Sequence, residues 1–203
     1  MSKIYTRIPT YDSGVWSYTY FQTKQDLINL VQSVFKVPGT CQFDLTSDMF
    51  NEHARFFNEK GVYTLASHGS KDWLTYWETE KEKCRKGVIF KNGNRTWYLP
   101  RFYYHWLNFL QLYNKKDKKF ANPDIRDVQY YIALYLTLAQ LTGKHAVILK
   151  RRQVAASFLI LSKMYNRHIF EEGYVGKVMA SNKNYLIGNN GTWKYLNMYH
   201  SFN

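Results

Sequence analysis

Cysteine is scarce in this sequence, and the two that are present form no recognisable site. Cys41 and Cys84 are the only cysteines among 203 residues, and neither belongs to a CxxC pair. This excludes the zinc-ribbon and thioredoxin-like motifs, and we expect both thiols to be free in a reducing compartment. The six histidines show no spacing typical of metal ligands.

Long apolar runs are also missing. No stretch of about 18 apolar residues exists, as a membrane-spanning helix requires, and the start MSKIYTRIPTYDSG lacks the apolar core of a signal peptide. We therefore expect a cytosolic address. With 45% hydrophobic and 18% aromatic residues, the chain is too apolar for intrinsic disorder. Its length suffices for one domain with a sizeable core.

Acidic residues are few. Fifteen Asp and Glu stand against 28 Lys and Arg, which gives a formal net charge of +13. Such an excess favours polyanionic partners, because bound Lys and Arg release the counterions condensed on phosphates. The charge predicts a nucleic-acid partner, reached directly or through an assembly. The alternative is a small protein that is merely basic.

The first 96 residues predict helices and a hairpin after an irregular N-terminal arm of about twenty residues. We expect three helices: one that Thr23 caps with Asp26 in its first turn, one from Ser47 to Gly61, and one from Ser70 to Gly87. The stretch ETEKEKCRK in the third mixes both charge signs and predicts a solvated face. A hairpin follows, with Asn92 and Gly93 as its turn residues.

The next segments are strongly aromatic. RFYYHWLNFLQLY predicts a buried or partner-facing segment, and NKKDKK predicts an exposed loop. The aromatic and basic residues at 97–120 have two interpretations, a stacking platform for single strands or core packing, of which core packing is favoured. A helix is then predicted with Asn122 as its cap, Pro123 at its first position and its end at Gly143.

The order of elements around KRRQVAAS suggests a nucleotide site. His145–Leu149 is a short β-branched run that predicts a buried strand, Ser157–Phe170 predicts a helix, and Gly176–Ala180 predicts a second, parallel strand. Strand, loop and helix in this order form the phosphate-binding loop of many ATPases.

The loop itself departs from the usual motif. Ser157 occupies the position of the magnesium-binding hydroxyl, but Ala156 stands in place of the lysine, Ala155 in place of the second glycine and Lys150 in place of the first. Three consecutive cations, 150–152, supply charge at the end of the predicted strand. An ordinary buried strand–helix–strand unit is the alternative interpretation.

The pattern of a basic residue, Arg-Gln, an apolar residue, a small residue, any residue and Ser resembles the variant phosphate loop of large terminase subunits from tailed double-stranded-DNA phages. WYLPRFYYHWLNFLQLYN, FANPDIRDVQYYIALYLTLAQLTGKHAVILKRRQ and VMASNKNYL occur in the same order as in the crAss-like and large-phage members. The resemblance covers residues 97–203, which would be the first part of the ATPase domain. Residues 1–96 would form an N-terminal helical lid region with the hairpin.

The resemblance implies an α/β fold with the first βαβ unit of a P-loop (ASCE) ATPase, and a packaging motor that drives double-stranded DNA into the procapsid. ATP and Mg²⁺ would be the cofactors. The portal protein and the small terminase subunit would be partners, and the full-length protein would form a homo-oligomeric ring at the portal in the host cytoplasm. The implied nucleotide-binding residues are Gln129, Lys150, Arg152, Gln153, Val154, Ala155, Ala156 and Ser157, with Gln129 reading adenine, Lys150 and Arg152 contacting the β- and γ-phosphates, and Ser157 binding magnesium.

Catalysis needs carboxylates that this sequence does not supply in the expected place. ATP hydrolysis requires an acidic pair at the end of an apolar strand, and a nuclease requires a carboxylate cluster. After Ser157 the only carboxylates are Glu171 and Glu172, and Gly173 follows them. We therefore expect no catalytic residue here, and we expect the N-terminal part of a longer ATPase. The alternative function is a non-catalytic basic module that docks on DNA, portal or another virion protein.

Overall fold

The computed structural model describes residues 4–35, 50–92, 94–114, 118–150, 154–188 and 192–202. They form a mixed α/β structure in which eight helices surround a small mixed sheet and a short hairpin. Buried apolar side chains from both halves of the chain, from Ile8 to Tyr199, pack in one cluster. None of the helices in these ranges is long and apolar enough to cross a membrane.

Four strands form the main sheet: β1 (Thr6–Asp12), β2 (Val15–Phe21), β3 (Val88–Asn92) and β4 (Arg95–Leu99). Their order is β2-β1-β3-β4, with β1 parallel to β3 and the other pairs antiparallel. The hairpin β3–β4 is confirmed, but Asn92, one of its two predicted turn residues, pairs with Arg95 at the end of β3, and Gly93 lies outside the described residues. The predicted irregular arm is wrong, because Tyr-, Thr- and Ser-rich residues alternate between the two faces of the hairpin β1–β2.

The first helix begins where its capping residues predict. In α1 (Lys24–Phe35), the Thr23 backbone N–H donates to Asp26 Oδ2 at 2.8 Å, and the Asp26 N–H donates to Thr23 Oγ1 at 3.2 Å. This reciprocal pair satisfies two N–H groups at the helix start. The buried face of α1 carries Leu27, Ile28, Val31 and Val34.

Two further helices precede the hairpin β3–β4. Helix α2 (Glu52–Lys60) ends at Gly61 in the left-handed conformation, as predicted, and the predicted start at Ser47 lies outside the described residues. Helix α3 (Lys71–Lys86) is capped by Ser70, whose hydroxyl accepts from the Trp73 N–H. The predicted solvated face of α3 is wrong, because Glu80, Lys83 and Cys84 are buried.

The aromatic segment forms α4 (Arg101–Phe109), in which every residue after Arg101 is buried. Core packing is therefore the correct interpretation of this helix, since single-stranded nucleic acid cannot stack on side chains in the interior. The strands β5 (Leu112–Asn114) and β6 (Lys119–Ala121) follow as a short antiparallel hairpin. Residues 115–117 of the predicted loop lie outside the described residues.

Helix α5 (Asp127–Thr142) ends at Gly143 in the left-handed conformation, as predicted. Its predicted start is wrong, because residues 122–126 are not helical. The Asn122 side chain instead donates to the carbonyls of Asn108 and Leu110, at 3.4 and 3.1 Å. Tertiary contacts with the end of α4 thus replace the predicted capping role of Asn122.

The last helices are α6 (Ala156–Phe170), α7 (Lys183–Ile187) and α8 (Thr192–Phe202). The helix predicted from Ser157 is confirmed, but the two strands predicted on either side of it are absent. Residues 145–149 and 176–180 form no strand, and Leu149 is 95% exposed and Met179 93% exposed. β-Branched runs do not form strands without a neighbouring strand that takes their backbone hydrogen bonds.

Candidate nucleotide-binding loop

Gln129 lies in the first turn of α5 and is only 3% exposed. Its Nε2 donates to the carbonyl oxygen of Val154 at 3.4 Å, which links α5 to the loop before α6. Its Oε1 is buried without a hydrogen-bond partner in the described part of the chain. A buried amide oxygen without a hydrogen-bond partner costs free energy of folding. This oxygen lies beside the loop and could accept a hydrogen bond there.

Ala155, the residue before α6, has a left-handed backbone conformation. Ala155 has φ 53° and ψ 19°, in the left-handed region, at the position where the usual motif has glycine. A residue in this conformation turns successive N–H groups toward the same side, which builds an anion-binding concavity. The side chain of Ala155 is a methyl group and therefore makes no capping hydrogen bond.

Backbone N–H groups at the start of α6 are available. The first helical hydrogen bond runs from the Leu159 N–H to the Ala155 carbonyl at 3.1 Å. The described residues offer no acceptor to the N–H groups of Ala156, Ser157 and Phe158, which precede it. Unsatisfied N–H groups and the positive end of the helix dipole both favour an anion here.

The remaining predicted residues differ in how far they are exposed to solvent. Ala156 is buried and packs the helix start against the core, Val154 is half-buried, and Ser157 and Lys150 are exposed. Arg152 and Gln153 lie outside the described residues, as does Arg151. The structure therefore brings together Gln129, Val154 and Ala155, and it leaves the Ser157 hydroxyl and the Lys150 ammonium accessible from solvent.

Magnesium would be held here chiefly by the nucleotide. No group of three or more His, Cys, Asp or Glu side chains suited to a metal lies within the described ranges. Mg²⁺ usually keeps several waters and binds through phosphates and one or two protein oxygens. A single exposed Ser157 hydroxyl fits that donor set.

Glu171 has a structural role. Its carboxylate accepts from the Arg101 guanidinium and, at 2.6 Å, from Arg167 Nε. Burial alone would raise the pKa of Glu171, but hydrogen bonds from Arg101 and Arg167 outweigh it and lower the pKa. The ion pairs attach the end of α6 to the start of α4, so this carboxylate is already engaged.

A buried polar cluster around Glu80 escaped prediction. Glu80 Oε1 lies 2.6 Å from Lys83 Nζ, while Oε2 accepts from the Tyr104 hydroxyl at 2.6 Å and lies 3.2 Å from His53 Nε2. Burial opposes ionisation, yet the His53 hydrogen bond and the Lys83 charge prevail and lower the pKa of Glu80 to about 2. The only sequence signal was an i, i+3 charge pair, which is far more common on surfaces.

Comparison of the chain with protein-family models, with curated proteins and with solved structures finds no match.

Proposed function

We propose that this chain binds the phosphates of ATP at the start of α6, as the N-terminal part of a phage DNA-packaging motor of the large-terminase type. The observation that carries the proposal is the left-handed Ala155 before a helix whose first N–H groups find no acceptor among the described residues. The Gln129 amide, which contacts the same loop at Val154, supports it independently. The motor assignment rests on the sequence resemblance.

The phosphates, the magnesium ion and the adenine of Mg-ATP would each contact a group of the protein. The phosphates would accept from the N–H groups of residues 156–158, with Lys150 and Arg152 adding charge from the other side of the loop. The Ser157 hydroxyl would contact the magnesium ion. The Oε1 of Gln129, which has no partner among the described residues, would accept from the amino group of adenine, which guanine lacks at that position.

Binding of Mg-ATP tests the proposal. We expect titration calorimetry to detect binding that falls about tenfold to a hundredfold in Lys150→Ala and in Arg152→Ala, since each removes one charge-assisted contact. Lys144→Ala is the matched control, because Lys144 is an exposed lysine at the other end of the same segment. Absence of binding, or equal affinity in all four proteins, would contradict the proposal.

The same proteins allow a turnover measurement. We expect no phosphate release above background, because the sequence places no acidic pair where magnesium and the attacking water would need it. Release that Arg152→Ala abolishes would show that a carboxylate elsewhere in this chain completes the site.

A basic docking module is the second candidate function, and one surface favours it. β1 runs parallel to β3, so the starts of both strands lie together, and Arg7, Arg85, Lys86 and Arg101 lie at this end of the sheet. Arg7 and Lys86 share Glu82 and Arg101 is paired with Glu171, whereas Arg85 has no carboxylate partner within the described ranges. The cations exceed the anions at this surface, which suits a phosphate backbone.

A further inference from the structure

A cavity lies at the C-terminal end of α6, opposite the proposed phosphate loop. It has a volume of about 460 Å³ and opens between α3, α4 and the last turn of α6. Trp73, Trp77 and Phe109 form its aromatic walls, and Ile169, which is partly exposed, lies at its mouth. This volume falls within the range of about 300–1,000 Å³ that small-molecule sites occupy.

His105 presents a hydrogen-bond donor to this cavity. The Asn166 side-chain N–H₂ donates to the Cys84 carbonyl at 3.0 Å, which fixes its orientation, and its nitrogen lies 3.4 Å from His105 Nδ1. Nδ1 therefore accepts, and the ring proton is on Nε2. Burial lowers the pKa of His105 to about 3, so the ring is neutral at physiological pH. His105 Nε2 makes no hydrogen bond within the described part of the chain, and the residue is 4% exposed and lines the cavity. Trp77 also lines the cavity, and its buried Nε1–H has no hydrogen-bond partner among the described residues either.

The cavity carries little net charge. Glu80 and Lys81 both line it, and Lys81 is paired with Glu78 at 3.3 Å. Lys83 neutralises the Glu80 carboxylate from outside the cavity, where its ammonium also lies 4.0 Å from the centre of the Trp16 ring. Three donors, from Lys83, Tyr104 and His53, already occupy most of the four lone-pair positions of the carboxylate. An anionic ligand would meet Glu80, and a cationic ligand would gain little from a carboxylate already paired.

We propose that this cavity binds an uncharged, planar heteroaromatic ring whose acceptor atom takes the Nε2–H of His105, the chemistry that a nucleobase offers. Indole and phenyl walls stack on flat rings and bury their faces, while the donors of His105 and Trp77 select rings with an acceptor at the edge. Ile169 follows Ala156 by thirteen residues of α6, about 20 Å along the helix. The cavity is thus separate from the phosphate loop, and the inference does not depend on ATP binding.

Two probes of equal shape isolate the donor. Quinoline and naphthalene have the same two-ring outline, but only quinoline carries a ring nitrogen that accepts a hydrogen bond, and it is uncharged at neutral pH. Saturation-transfer NMR titrations should show both probes binding, with quinoline tighter by about threefold to tenfold, the effect of one net hydrogen bond. Equal affinities of the two probes, or no binding at millimolar concentration, would overturn the proposal.

Two variants locate the binding. His105→Phe keeps a flat ring among aromatic neighbours and removes the donor, so we expect naphthalene to bind as before and the advantage of quinoline to disappear. Ile169→Trp fills the mouth from an exposed position and should weaken both probes at least fivefold, a result that does not depend on tolerance of the interior substitution.

The control is Ile160→Trp, a similarly exposed isoleucine on α6 that does not line the cavity. It should leave both affinities unchanged. Equal weakening by the two tryptophan variants would place the probes on the general surface of α6, and retention of the quinoline advantage in His105→Phe would assign the selectivity to another group. Either result would refute the proposal.

Discussion

His105 shows how burial changes the chemistry of a single residue in this protein. The imidazole extends from α4 into the interior, where its ring stacks near Tyr165 and contacts Phe170. The Asn166 amide is its only hydrogen-bond partner in the described ranges. Burial disfavours the protonated form and lowers the pKa of His105 to about 3. An exposed histidine in the unfolded chain has its ordinary pKa of 6.5. This difference couples protonation to stability.

The coupling predicts a pH dependence of unfolding. Between pH 6.5 and 3 the unfolded chain binds a proton at His105 and the folded chain does not, so acid favours unfolding. The contribution of the neutral His105 to the free energy of unfolding is fully present above pH 6.5 and is lost as the pH falls toward 3. The free energy of unfolding should therefore fall by about 1.4 kcal/mol per pH unit from this group alone.

Urea denaturation of the wild type and His105→Phe at several pH values measures this contribution. The five other histidines and all carboxylates titrate in both proteins, so only the difference between the two curves belongs to His105. We expect that difference to grow steadily from pH 6 to pH 4. Parallel curves over this interval would show that the folded protein accommodates a protonated His105.

At the scale of the element, the start of α6 is unusual because alanine occupies a left-handed position. Alanine pays a steric cost of about 1–2 kcal/mol in this conformation, whereas glycine adopts it freely. Ala155 is one of three non-glycine residues with positive φ among the described residues. Ordinary helix caps such as Thr23 and Ser70 were predictable from sequence, but this conformation was not, because alanine normally indicates helix interior.

Replacement of Ala155 by glycine should stabilise the protein. Relief of strain outweighs the greater freedom of glycine in the unfolded chain, and we expect the free energy of unfolding to rise by up to about 1 kcal/mol. Ala156→Gly is the matched control, with the same chemical change one residue later inside the helix, where it should destabilise by about 1 kcal/mol or more. Urea denaturation measures both, and a decrease for Ala155→Gly would contradict the left-handed conformation.

At the scale of the molecule, the net charge of +13 includes a group of cations at one end of the main sheet. The four cations at the end of the sheet, Arg7, Arg85, Lys86 and Arg101, come from three separate elements and are brought together by the parallel pairing of β1 with β3. Sequence revealed the charge excess but not this surface, because residues 7 and 85 are adjacent only in the folded chain.

DNA binding at this surface should be electrostatic and independent of sequence. The logarithm of the association constant should fall linearly with the logarithm of salt concentration, with a slope of about −0.9 for each phosphate contacted. Arg85→Ala should reduce that slope by about 1. Lys60→Ala serves as the control, because Lys60 is already paired with Glu59. Fluorescence anisotropy measures both slopes, and preferences above about tenfold between unrelated DNA sequences would contradict this prediction.

The amino-acid sequence by itself determined the local features of the fold. The capping pair Thr23–Asp26, the cap Ser70 and the terminating residues Gly61 and Gly143 formed as predicted, and the second hairpin formed with its turn placed after Asn92. These features depend on interactions within a few residues of the chain, so local side-chain chemistry suffices to specify them.

Only the tertiary structure decided which side chains are buried and which runs become strands. The charged stretch of α3 carries the buried pair Glu80–Lys83 because α4 covers it, while the apolar run at 145–149 stays exposed because no described strand pairs with it. Asn122 binds carbonyls of α4 instead of capping α5. Burial and strand pairing depend on segments distant in sequence, and a local pattern of polarity does not show which distant segments will pack against it.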